Sequence, residues 1–163
     1  MIVNTAGQSL YLRVKNPALI QKVLKDQTQL VEYKGHNLKV RHTLDATKVL
    51  RNLNIEAPSP IRYYYRWPGK YKPYAHQITT SEFLTLHRKA FLLNQMGTGK
   101  TASALWAMDY LMQLGQVQKV LIVAPLSTLE RVWMDEVFTW IMHRSAVVLH
   151  GSAEKRKRLL TTD

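Results

Sequence analysis

Apolar residues recur along this chain with two periods, and the change between them divides it. Over residues 9–14, Leu10, Leu12 and Val14 alternate with Tyr11 and Arg13, the period of two of a half-buried strand. Asn16-Pro17 follows, pairing a helix N-cap with proline at the first helical position, and Leu19, Ile20, Val23 and Leu24 then share one helix face. Residues 30–33 and 38–42 flank Lys34-Gly35-His36-Asn37, which predicts a hairpin. Residues 45–53 predict a second short helix with Val49, Leu50 and Leu53 inward. The first block therefore reads β-α-β-β-α.

Pro58-Ser59-Pro60 cannot continue a helix and marks a boundary. From His76 onward, short continuous apolar runs alternate with helical patterns. A helix is expected over 77–88, a strand over 90–93, a glycine loop, and a helix from Lys100 to Leu114 that stops at Gly115. A strand over 119–123 and a helix over 127–141 follow, the latter opening with the capping-box pattern Ser127-Thr128-Leu129-Glu130. A third strand over 146–149 leads into a helix from Ala153. Buried strands alternating with helices predict a parallel sheet, so the second block is α/β in the doubly wound sense.

Charge adds a partner to this picture. The 163 residues carry a formal net charge of +12. Basic residues outnumber acidic ones by nine to four over 1–60 and by six to one over 61–89, whereas 90–150 are neutral with four of each. A neutral apolar block flanked by basic segments suits a polyanion, since each neutralised phosphate releases counterions. The bland alternative is a solvated basic surface. With 46% hydrophobic residues the chain can build a core, and it contains no cysteine for disulfides or thiolate metal sites. No apolar run reaches the roughly 18 residues of a membrane span, and the first residues lack a secretory pattern, so an intracellular location without a membrane is expected.

Residues 61–74 interleave tyrosines and Trp67 with Arg62, Arg66, Lys70 and Lys72. Aromatic rings stack on bases and cations meet phosphates, so this strap suits nucleic acid; equally, it suits an aromatic strap packed over a junction. Trp106, Trp133 and Trp140 fall on helix faces and are assigned to the core. His36, His42, His87 and His143 lack metal-ligand spacing and are read as structural or surface residues.

Asn94-Gln95-Met96-Gly97-Thr98-Gly99-Lys100-Thr101 lies between a predicted strand and a predicted helix, the context of a phosphate-binding loop. The glycines let the backbone curl so that successive N–H groups face phosphate oxygens, and the helix N-terminus adds partial positive charge. Lys100 is placed to reach the β- and γ-phosphates, and Thr101 to ligate Mg²⁺ through the nucleotide. The general loop pattern has glycine where this chain has Asn94.

Written as Met-Gly-x-Gly-Lys-Thr, the loop resembles that of superfamily-2 helicases and translocases, in particular the SWI/SNF-type DNA-dependent ATPases. Tyr71-Lys72-Pro73-Tyr74-Ala75-His76-Gln77 resembles the family's opening motif, which implies that Gln77 reads the adenine edge and Tyr74 packs on the base. The segment 121–129, followed by Trp133 and Glu136, resembles the family's next motif and implies that Ser127 and Thr128 hold a DNA phosphate; the alternative is a plain N-cap. Val147-Val148-Leu149-His150-Gly151-Ser152 resembles the strand and His-Gly segment after it. The resemblance covers about 71–160 and implies an ATP- and Mg²⁺-dependent DNA helicase or translocase. It divides the chain into an accessory α/β domain (1–57), an aromatic-basic linker (58–74) and the first part of a RecA-like lobe (75–163). The first block is loosely similar to substrate-gripping domains that precede the motor in some annealing and phage helicases; a structural cap is the alternative.

Hydrolysis in this family requires carboxylates from an Asp-Glu pair after an apolar strand, whereas Asp135-Glu136 lies within a predicted helix. The expectation is therefore a nucleotide- and DNA-binding portion of a motor that turns over only with further helicase lobes, in cis or in trans. The rival is a stand-alone DNA- or helicase-binding module without hydrolysis.

Overall fold

The strand expected at 9–14 has neighbours on both sides. In the computed structural model, which describes residues 1–161, β1 (Ile2–Asn4), β2 (Ser9–Leu12), β3 (Thr28–Tyr33) and β4 (His36–Arg41) form one antiparallel sheet in the order β1-β2-β4-β3. Leu10 lies opposite Val40 and Leu12 opposite Leu38, and all four are buried beneath α1 (Pro17–Leu24) and α2 (Leu44–Asn52). Asn16 caps α1 by accepting from the Leu19 N–H, and Thr43 caps α2 through the Ala46 N–H. The hairpin turns on Lys34-Gly35 alone, both at positive φ, and His36 and Asn37 belong to β4 rather than to the turn. The first block is therefore β-β-α-β-β-α. β1 is too short and too weakly patterned for periodicity to find, and only its register against β2 makes it a strand.

Beyond Pro58 the chain is helical: α3 (Ile61–Tyr64), α4 (Ala75–Leu86), α5 (Lys100–Gln113), α6 (Leu126–Thr128), α7 (Met134–Trp140) and α8 (Ala153–Thr161). The expected helix over 127–141 is broken by a π-helical turn, Leu129–Trp133, and begins after Pro125 without a side-chain capping bond. The helix starts at Leu126 with Pro125 as its N-cap, so Ser127 lies inside the helix and cannot cap it, and the Thr128 hydroxyl donates to the Pro125 carbonyl. Trp106 and Trp140 meet edge to face at 5.2 Å, and Trp106 meets Trp67 at 5.5 Å, so the tryptophans form core as expected.

The parallel sheet is not formed among the described residues. Segments 90–93, 119–123 and 146–149 carry no strand ladder, and Phe91, Leu93 and Val123 are 88%, 91% and 87% exposed. An apolar run becomes a strand only when neighbours satisfy its N–H and C=O groups, and these segments pair neither with one another nor with the N-terminal sheet. The observed architecture is mixed α/β with one small antiparallel sheet.

Two buried carboxylates tie the helical part together. Asp109, in α5 and fully buried, accepts from the Tyr65 hydroxyl (2.7 Å), the Gln113 amide (2.8 Å) and Arg144 Nε (2.6 Å), and pairs with His143 Nε2 (2.9 Å). Burial pushes the Asp109 carboxyl up, but hydrogen bonds from Tyr65, Arg144 and His143 outweigh it and leave it below the usual range. Burial and the same carboxylate push the Tyr65 phenol far up. Glu82, in α4, accepts from the Ser59 N–H and pairs with Arg62 at 2.8 Å. Between the two cores, His42 contacts the Pro58 carbonyl and the Tyr64 hydroxyl, each at 2.9 Å.

Replacing Asp109 with alanine leaves Arg144 and Tyr65 without their buried acceptor and is expected to cost about 3 kcal/mol, read as a lowered urea midpoint. Burial lowers the His42 pKa from 6.5 despite the opposing Pro58 bond and Glu82 charge, so the folded state favours the neutral ring. The resulting stability is present above about pH 6.5 and lost as pH falls through the depressed folded value. Urea titrations at descending pH are expected to show this loss, and His42→Asn to diminish it.

Candidate nucleotide site

Glycine determines the shape of the loop between residues 94 and 100. Gly97 and Gly99 stand at φ +77° and +74°, the left-handed region that other residues enter at a cost, and Gly99 is the N-cap of α5. This curl leaves the N–H groups of Gly97, Thr98 and Gly99 donating to no other group among the described residues. They lie at the start of a 14-residue helix whose first turn adds partial positive charge. Free N–H groups, a helix N-terminus and a lysine form a donor set suited to a polyphosphate.

The lysine is held within the loop. Lys100 Nζ donates to the carbonyls of Asn94 and Gln95, both at 2.9 Å, drawing the two ends of the curl together. Thr101 is half-buried in the first turn of α5. Met96 at the loop's crest is 94% exposed. Asn94, which stands in the general pattern's glycine position, donates its amide to the Thr80 hydroxyl at 3.1 Å and so anchors the loop to α4.

Gln77 and Tyr74 are brought to the same place. α4 packs along α5, with the Ser81 hydroxyl bonded to the carbonyls of Gln77 and Ser103. This brings the nearly buried Gln77 carboxamide against the loop, where Oε1 accepts from the Tyr74 N–H at 2.9 Å and Nε2 donates to the Thr98 carbonyl at 3.4 Å. A Cβ on Gly99 would overlap Gln77 Nε2, the far end of a flexible side chain, so φ requires glycine there and any larger residue would displace the Gln77 amide. His76 reaches the same Thr98 carbonyl at 3.0 Å and lies parallel to the Tyr74 ring. Tyr74 is 70% exposed, leaving a ring face open beside the loop.

The basic and polar residues expected at DNA are not all alike. Arg66, Lys70 and Lys72 are exposed, and the Lys70 ammonium lies over the Tyr71 ring. Arg62 is engaged by Glu82 and touches Thr79 at 3.3 Å, so its guanidinium serves an internal pair. The aromatics between them turn largely inward: Tyr65 is buried against Asp109, and Tyr64 bonds His42. Ser127 is exposed and Thr128 half-buried at the start of α6. Glu136 accepts from the Trp140 indole N–H, which gives that carboxylate a packing role.

Sequence reasoning missed the residues that orient this site. Ser81, Ser103, Asn94 and Thr80 bind α4, α5 and the loop together, and small polar residues inside helices gave no pattern to find. Asp109 did leave a signal, a lone acid on the face that carries Leu105, Trp106 and Tyr110. Gly99→Ala is expected to cost about 1–2 kcal/mol from the left-handed backbone alone and to displace Gln77 from Thr98. Thermal unfolding and the Gln77 side-chain amide signals in NMR check both effects.

Residues 20–163 match the family model described as the SNF2-related domain. The rat SWI/SNF-related matrix-associated actin-dependent regulator of chromatin subfamily A containing DEAD/H box 1 is 32% identical over 109 residues, covering 65% of this chain and 10% of that protein. Its zebrafish counterpart, 1A, is 30% identical over 142 residues, 86% of this chain and 12% of the relative. The ISWI chromatin-remodeling complex ATPase ISW1 of Saccharomyces cerevisiae is 30% identical over 96 residues, 56% of this chain and 8% of its own length. No solved structure matches.

Proposed function

This chain belongs to the SNF2-related family, and on that premise we propose that it is the nucleotide-binding portion of an ATP-driven DNA helicase or translocase. The chain spans about a tenth of the length of the relatives it matches, so the activity of a whole motor is part of the proposal. The observation that carries the reading is the curl at Gly97 and Gly99, with free N–H groups at the start of α5 and Gln77 held against it.

In this reading residues 96–101 bind the phosphates of ATP, Lys100 exchanges its two loop carbonyls for phosphate oxygens, and Thr101 holds Mg²⁺ through the nucleotide. Magnesium, when bound, neutralises charge on the β- and γ-phosphates. Gln77 reads the adenine edge by releasing the Tyr74 N–H and the Thr98 carbonyl, and Tyr74 offers its exposed ring to the base. DNA lies against Ser127 and Thr128 and the exposed Arg66, Lys70 and Lys72, with Arg62 supporting the surface through Glu82. Segments 90–93, 119–123 and 146–149 become the parallel strands of a RecA-like lobe when the rest of the ATPase supplies neighbours in cis or in trans. The divisions 1–57, 58–74 and 75–163 follow from the same reading. A second reading, a DNA- or helicase-binding module without hydrolysis, is favoured by the engagement of Glu136 with Trp140.

Calorimetric titration of the chain with Mg²⁺-ATP is expected to show binding that falls ten- to a hundredfold in Lys100→Ala, the loss of one charge-assisted contact. Unchanged affinity in that variant would overturn the phosphate-loop reading. Phosphate release with and without DNA, from this chain alone and then joined to a downstream lobe, separates the two readings: DNA-stimulated turnover of the joined form excludes the binding module.

A further inference from the structure

The N-terminal sheet has a second face, and it carries an unused polar atom. Leu10, Leu12, Leu38 and Val40 point into the core, so Ser9, Tyr11, Lys39 and Arg41 point the other way. Register places Ser9 directly opposite Arg41, and Tyr11 opposite Lys39, which in turn lies opposite Gln29. The turn after β1 folds back over this face, where Gly7 donates to Asn4 Oδ1 and a Cβ on Gly7 would lie 3.5 Å from Ser9 Oγ. Ser9 is consequently 1% exposed. Its hydroxyl is the one buried side-chain polar atom without a hydrogen-bond partner among the described residues. Such an orphan costs roughly 1–3 kcal/mol.

Ser9 forms part of the floor of a cleft of about 250 Å³ between the turn and the start of β3, lined also by Gln8, Gln29, Lys39 and Arg41. Neither Lys39 nor Arg41 makes an ion pair with a described residue, although Asp26 lines the same cleft. Two cations without an ion pair and the side-chain amides of Gln8 and Gln29 on one concave surface are a donor set for a phosphate. Beyond the cleft the face continues into the Tyr11–Tyr33 ring pair, at 4.7 Å, with Lys34 over Tyr33. Phosphate donors beside aromatic rings suit a nucleic-acid strand rather than a free anion.

We propose that the outer face of the N-terminal sheet is a second nucleic-acid contact, in which Lys39 and Arg41 bind backbone phosphate at the cleft. This contact is separate from the glycine loop and from the basic strap at 62–72.

The test is fluorescence anisotropy of a labelled DNA of about 20 nucleotides with the full chain, over roughly 50 to 200 mM salt. Lys39→Gln/Arg41→Gln is expected to weaken binding and to make the slope of log affinity against log salt shallower by about 2, while Mg²⁺-ATP affinity is unchanged. Lys39→Arg/Arg41→Lys restores the slope, which excludes misfolding as the cause. An unchanged slope in the glutamine variant overturns the proposal. Displacement of DNA by millimolar inorganic phosphate, lost in the glutamine variant, assigns the cleft to a free anion and overturns the nucleic-acid reading. Lys100→Ala, which leaves the DNA slope intact, keeps this outcome distinct from that of the glycine loop.

Discussion

A carboxylate with no exposed surface must be paired or neutralised, and in this protein the way Asp109 is paired organises the helical half. Its two oxygens gather a phenol from the strap after α3, an amide from its own helix, and an imidazole and a guanidinium from the chain after α7. Two segments far apart in sequence are thereby tied to the helix that begins at the glycine loop. Hydrophobic burial alone would not select this arrangement, because Trp67, Trp106, Trp140 and Tyr110 can pack in more than one register. Donors that must meet specific oxygens permit far fewer.

The same logic governs the junction with the N-terminal sheet. Glu82 on α4 draws in Arg62 and the Ser59 N–H, and His42 spans the Pro58 carbonyl and the Tyr64 hydroxyl. The proline-bounded segment that reads as a boundary in the sequence is in fact bonded on both sides. Its charge is correspondingly divided: Arg62 works inward, whereas Arg66, Lys70 and Lys72 face solvent. Part of the strong basic excess is therefore structural.

The site follows from helix packing. Because Ser81 holds α4 against α5, the N-termini of both helices converge, and Gln77 lies against the curl that Gly99 makes possible. The Gln77 carboxamide and the glycine loop, about 20 residues apart in the chain, thus share one location. The outer sheet face arises differently, from a turn that buries Ser9 without giving its hydroxyl a partner, beside two unpaired cations. The two surfaces have independent origins in the fold.

Periodicity and punctuation determined the local elements. Asn16-Pro17 opens α1, Leu50 marks the inward face of α2, the alternation at Leu10 and Leu12 defines the inner sheet face, and Gly-x-Gly-Lys-Thr places the loop before α5. These are legible because helix caps, pleat and glycine φ depend on residues a few positions apart. The tertiary structure decided what depends on distant partners: that Ile2–Asn4 is a strand, that segments 90–93, 119–123 and 146–149 are not, and that Glu130 closes no capping box. It also decided which of the many tyrosines, histidines and arginines turn inward. A ladder needs a neighbour and a buried charge needs a counterpart, and neither requirement is written within a single segment of the chain.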